Sequence, residues 1–174
     1  MNRNQFLRNS FAVGCFLLAG GLAQSVSVAQ TGHVKTSMAA LQAMTAKLGP
    51  PKMEGMDIVG GKDAPALYFG TTKMNNSFDL VDDVVKENGG TATLFVKSGE
   101  DYVRVATNVK KDDGSRAIGT SLDPKGPAIA MIKHGKPYFG DANILGKLYD
   151  TGYDPIRDAS GNVIGIYYVG YLKQ

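Results

Sequence analysis

The chain has 174 residues, of which 43% are hydrophobic and 20% charged, with a formal net charge of +3. That length suffices for one domain with a buried core. Two histidines and a single cysteine leave no ligand set for a zinc-type centre and no disulfide, so neither a metal nor another cofactor is expected.

The first element is a leader. Met1–Ser10 carries Arg3 and Arg8 and no acid, Phe11–Leu22 is apolar or small, and Ser27-Val28-Ala29 places small residues where a signal peptidase reads. The pattern predicts a signal peptide over residues 1–29, cleaved after Ala29. Its apolar core, about a dozen residues, falls short of the ~20 of a spanning helix. A retained anchor, or a lipid anchor at Cys15, is the alternative. Cleavage would leave 145 residues without cysteine and lower the charge from +3 to +1 by removing Arg3 and Arg8. A near-neutral secreted domain, expected in the periplasm, is no nucleic-acid binder by charge. No later segment is apolar and long enough to span a bilayer.

Residues 30–56 form an N-terminal helical segment. Met38, Leu41, Met44 and Leu48 recur every three or four residues, and Gly49-Pro50-Pro51 stops the helix. Asp57–Asn76 reads as loop-rich. Asn76 or Ser77 is expected to cap a second helix that buries Phe78, Val81, Val84 and Val85 and ends at Asn88-Gly89-Gly90. Strands follow over Thr91–Lys97, Tyr102–Val109 and Ser115–Leu122, then a short helix over Pro127–His134. Three more strands follow, over Pro137–Leu145, Lys147–Arg157 and Val163–Leu172, the last two joined at Asp158-Ala159-Ser160-Gly161. The fold class is α+β: helices first, then an antiparallel sheet of five or six strands with one helix inserted. The folded domain is expected over 57–174.

Arg104 stands in the body of a strand. Period-two alternation puts Tyr102, Arg104 and Ala106 on one sheet face and Val103, Val105 and Thr107 on the other. Arg104 either lies at a sheet edge with a structural acid, or points into a cavity where its planar fork holds a carboxylate. Arg116 follows the Asp112-Asp113-Gly114 turn and pairs with that turn or with a ligand. Tyr149, Thr151 and Tyr153 share a strand face, and Tyr138 lies on the strand before. Their rings and hydroxyls suit either the wall of a small polar ligand or cross-strand packing. Tyr167, Tyr168 and Tyr171 read as packing. Asp154, before Pro155, accepts from a ligand or initiates a turn. His33 lies in the polar start and His134 at a helix end. No nucleophile elbow and no nucleophile–base pair is visible, so an enzyme is not expected.

From about Asp57 to Leu172 the chain resembles the extracellular Cache sensor domain of the Cache-3/Cache-2 fusion kind, found in methyl-accepting chemotaxis receptors and sensor kinases. The resemblance rests on Phe78–Asp82, Ala92–Val96, Tyr102–Thr107, Asp113–Thr120, Gly135–Gly140, Tyr149–Arg157, Gly161–Gly165 and Val169-Gly170 in that order. It implies a PAS-like fold, with a long N-terminal helix against one face of the central sheet and a ligand cavity on the other. It implies binding of a small organic acid, amino acid or related metabolite without its transformation. It also strengthens Arg104, Arg116, Tyr138, Tyr149 and Tyr153 as pocket candidates. Family receptors carry a second membrane helix and a signalling module, and neither is seen in this sequence. The expectation is a stand-alone binding protein acting through a membrane receptor or transporter, with a homodimer through the N-terminal helix left open. The alternative is a ligand-free interaction module of the same fold, with Met38–Leu48 as its working surface.

Overall fold

The computed structural model describes residues 22–173. Met1–Gly21, with Cys15, lies outside them, and the cleavage point expected after Ala29 falls within the first helix. Helix α1 runs over Leu22–Leu48, longer than the sequence pattern suggests, and takes in His33. Val34, Met38, Leu41 and Thr45 are buried along it, one stripe at helical spacing. Leu48 turns outward as the helix ends. Gly49 makes that end at φ +123°, and a Cβ there would lie 2.8 Å from Gly70 Cα, so only glycine lets the two backbones touch.

The stretch expected as loop is a small antiparallel sheet of β1 (Pro51–Val59), β2 (Lys62–Phe69) and β3 (Thr72–Lys73). Gly60 and Gly61, at φ +57° and +81°, form the two-residue turn between β1 and β2. β1 is exposed at nearly every position and bulges between Met53 and Met56. Alternation, the signal that betrays a half-buried strand, is therefore missing.

Helix α2 spans Asp79–Asn88 with Phe78 at its N-cap and no side-chain cap. The expected caps act elsewhere. Asn76, at φ +60°, donates its amide to Ile58 O at 3.0 Å. Its neighbour Asn75 accepts from Leu67 N and donates to Pro65 O. Both amides tie the approach to α2 onto the small sheet.

The main sheet has five strands: β4 (Thr91–Ser98), β5 (Asp101–Thr107), β6 (Tyr138–Ile144), β7 (Lys147–Arg157) and β8 (Val163–Leu172). They run in the order β5-β4-β8-β7-β6, antiparallel throughout. The strand expected over Ser115–Leu122 does not form. Its ladder pairing is confined to isolated bridges at Val103–Ser121 and Lys110–Arg116, so residues 108–126 are one long connection from β5 to helix α3 (Pro127–Lys133). Two cores result. On one face, Leu94, Val96, Val103, Val105, Ile156 and Val169 meet α1, α2 and β2. On the other, Phe95, Tyr102, Tyr153, Ile166 and Tyr168 meet α3 and the connection.

Candidate functional site

The alternation of β5 sends Val103 and Val105 toward the helices and Tyr102 and Arg104 to the opposite face. Arg104 is 4% exposed. Its Cζ sits 4.9 Å from the centroid of the Phe95 ring, a cation–π distance. Its Nη1 donates to Thr120 Oγ1 at 2.7 Å and, at 3.4 Å, to Ser121 O. Its Nε is buried and has no hydrogen-bond partner among the described residues. No acid forms an ion pair with it there either. Burial pulls the guanidinium below its ordinary range, and only the neighbouring Tyr153 and Tyr168 act in the other direction. A buried cation without a counter-charge costs several kcal/mol even after relaxation.

Beside it opens a cavity of about 270 Å³. Arg104 and Tyr153 supply its sheet wall. Residues 121–123 and 125–128 supply a second wall, in which Leu122, Pro127 and Ala128 are apolar and Asp123 and Lys125 are charged and exposed at the surface. The β6–β7 hairpin closes it with Ala142–Leu145. Tyr153 is 1% exposed, 5.0 Å from the Tyr168 ring and 6.2 Å from the Tyr138 ring. Burial, and then Tyr168, push its phenol far up, so it keeps its proton and can donate.

The other candidates lie as follows. Tyr138 backs Tyr153 and gives its hydroxyl to Asp141 O at 2.7 Å. Tyr149 packs partly buried against the same core. Asp154 is part of β7, opposite Tyr167, rather than a turn; it faces α1 and accepts from Gln42 Nε2 at 3.1 Å. Arg116 pairs with neither a ligand wall nor the Asp112-Asp113 turn. Its two terminal nitrogens meet the two carboxylate oxygens of Asp82 on α2, each at 2.7 Å, and its Cζ lies 4.5 Å from the Phe78 ring centre. The structure thus brings Arg104 and Tyr153 to one cavity, with Tyr138 behind them, and places Arg116 and Asp154 elsewhere. Thr120, Asp123 and Asn143 went unread. Thr120 and Asp123 sit in irregular backbone, where period gives no direction, and Asp123-Pro124 signalled only a turn; Asn143 lies near the end of β6.

The family model for the Cache 3/Cache 2 fusion domain matches residues 19–174. The chain belongs to that family. Cache domains are sensors rather than catalysts, and the three helices and two antiparallel sheets of the described residues have the α+β, PAS-like architecture of one. Among solved structures, a chain titled "Methyl-accepting Chemotaxis protein X" is similar with a TM-score of 0.47 and 16% identity, over 86% of this chain and 59% of that one. This chain therefore spans less than two thirds of that neighbour's length. A comparison with curated proteins finds no match. No helix among the described residues is long and apolar enough to cross a membrane.

Proposed function

We propose that this Cache domain binds a small anionic metabolite, with Arg104 holding a carboxylate and Tyr153 donating its hydroxyl to the same group. The observation that carries the reading is the buried guanidinium, open to a cavity and without an acid of its own. A ligand carboxylate in the cavity would supply the missing charge, and a charge-assisted bond to the guanidinium is the strongest available there. The cavity of about 270 Å³ is many times the ~10–15 Å³ of such space that a single water needs. That fits a small organic acid or amino acid. Tyr138 and Tyr149 serve as the packing behind Tyr153, while Arg116 and Asp154 hold the fold together. The leader pattern supports secretion to the periplasm, where the domain would report through a membrane receptor or transporter. No catalytic step belongs to this reading.

The alternative of a ligand-free interaction module loses the Met38–Leu48 stripe as its surface, because Met38, Leu41 and Thr45 are buried, and draws on one other observation. Met53, Met56 and Ile58 of β1 stand exposed, the last two by 64% and 65%.

A thermal-shift screen of the protein against organic acids, amino acids and neutral metabolites tests the proposal. A ligand at 100 times its dissociation constant adds ~2.7 kcal/mol, several degrees in a domain of this size. The expected result is a shift with one acid that Arg104→Met abolishes. A shift with neutral metabolites alone, or one that survives in Arg104→Met, would remove the anchor assignment.

A further inference from the structure

Within residues 116–120 the connection between β5 and α3 is tied down at three points, and one of them is Arg104, whose guanidinium faces the cavity. At its start, Arg116 forks onto Asp82 of α2 and also donates to Thr107 O at 2.8 Å. In the middle, Gly119 lies against Gly60 of the β1–β2 turn. A Cβ on Gly119 would stand 2.5 Å from Val59 O and 2.9 Å from Gly60 Cα. At its end, Thr120 O accepts from Arg104 N and Arg104 O accepts from Gly119 N, both at 2.9 Å. The Thr120 hydroxyl donates to Ala117 O at 2.7 Å, so its oxygen is turned to receive Arg104 Nη1. Ala117 is buried and is the residue after Arg116.

β5 is the edge strand of the five-stranded sheet. Arg104 lies on the cavity face, and α2 packs on the opposite face, against α1 and β4. The connection passes round that edge and joins the two faces through Asp82, Arg116, Ala117, Thr120 and Arg104. Resting on the ligand reading above, we infer that Arg116 and Asp82 form a positioning pair. They hold the connection where Thr120 orients the Arg104 guanidinium, and they carry the occupancy of the cavity to α2. The switching element is Arg104 Nη1. It serves Thr120 Oγ1 and Ser121 O, and a carboxylate that takes it competes with both. Whichever partner it keeps biases the loop, and the bidentate fork makes the far end of the loop stiff enough to move α2.

The experiment is NMR on uniformly ¹⁵N-labelled full chain, following the Arg104 Nε–H signal and the amides of residues 79–88 and 117–122. Wild type is compared with Asp82→Asn, Asp82→Glu and Thr120→Val, alone and with propionate, succinate or alanine. Without ligand, Asp82→Asn is expected to move the Arg104 Nε–H signal and speed exchange of the 117–122 amides, and Asp82→Glu to restore both. With a bound acid, α2 amides shift in the wild type. Thr120→Val, which leaves the ion pair intact, abolishes that response, and Asp82→Asn weakens binding about tenfold, a coupling typical of residues in one network. An Arg104 signal unmoved by Asp82→Asn would make the pair merely structural. An α2 response that survives Thr120→Val would overturn the transmission. If none of the three probes moves Arg104 in the wild type, it is the ligand reading that suffers, and the ligand-free comparison still decides the positioning pair.

Discussion

Arg104 and Asp154 are both ionisable, one on the edge strand β5 and one on the inner strand β7, and opposite in what they tell. Arg104 is buried without an acid partner among the described residues, so its charge works against folding. Arg104→Met keeps the volume and removes the charge; replacing buried charge by apolar bulk is neutral or stabilising by ~1–4 kcal/mol in known cases. Chemical denaturation of the ligand-free variant is therefore expected to show equal or higher stability. A loss of several kcal/mol would mean that the bonds to Thr120 and Ser121, not a ligand, are the reason for the arginine. Asp154 is half-buried beside Gln42, and burial raises its carboxyl above the ordinary value of 3.8. The folded state then binds that proton more tightly than the unfolded chain does. Stability falls as pH rises from the ordinary value through the raised one. Asp154→Asn removes this loss and can still accept from Gln42. It should melt higher than wild type at pH 7, by less than about 1 kcal/mol because solvent screens a half-exposed group. The difference should vanish below the ordinary value; melting curves at both ends check it. The direction in which Arg104 points was legible from alternation alone, since a strand period of two leaves only two faces. The partner of Arg116 was not, because Asp82 lies 34 residues away on another element.

The β5–α3 connection and the small sheet meet at one glycine pair. Gly119 has φ +74° and no room for a Cβ, whereas Gly61 has φ +81° and open space around it. Gly61→Ala should cost backbone strain alone, ~1–2 kcal/mol. Gly119→Ala adds a clash with Val59 O and should cost clearly more; equal losses in denaturant midpoint would show that the contact is slack. The elements that the sequence made plain are those with a period or a strand-forming run. The stripe of α1 has one buried side, and β4, buried on both faces over Ala92–Val96, reads as a strand from its β-branched and aromatic residues. β1 escaped because its residues are exposed on both faces, with a bulge at Met53–Met56 in between. Ser115–Leu122 misled for the converse reason. Its Ala117, Ile118 and Leu122 pack inward, yet the backbone turns at Gly119, so apolar spacing mimics a strand that its hydrogen bonds do not make.

Taken whole, the molecule is a sheet with a helical face that carries its stability and a second face that carries the cavity. Leu41 is fully buried where α1 crosses the sheet. Leu41→Ala should lower stability by ~2–5 kcal/mol, while leaving acid affinity unchanged under conditions where the variant is folded. An affinity that falls in proportion to stability would place the ligand site on the helical face instead. The central claim is that the cavity face exists to bring an anion to Arg104. Isothermal titration of wild type and Arg104→Met with the acid that gives the largest thermal shift tests it most directly. The account predicts one site per chain, and a loss on the order of a hundredfold in the variant, as expected for a desolvated charge-assisted pair. Equal affinities in the two proteins, with the fold intact, would contradict it.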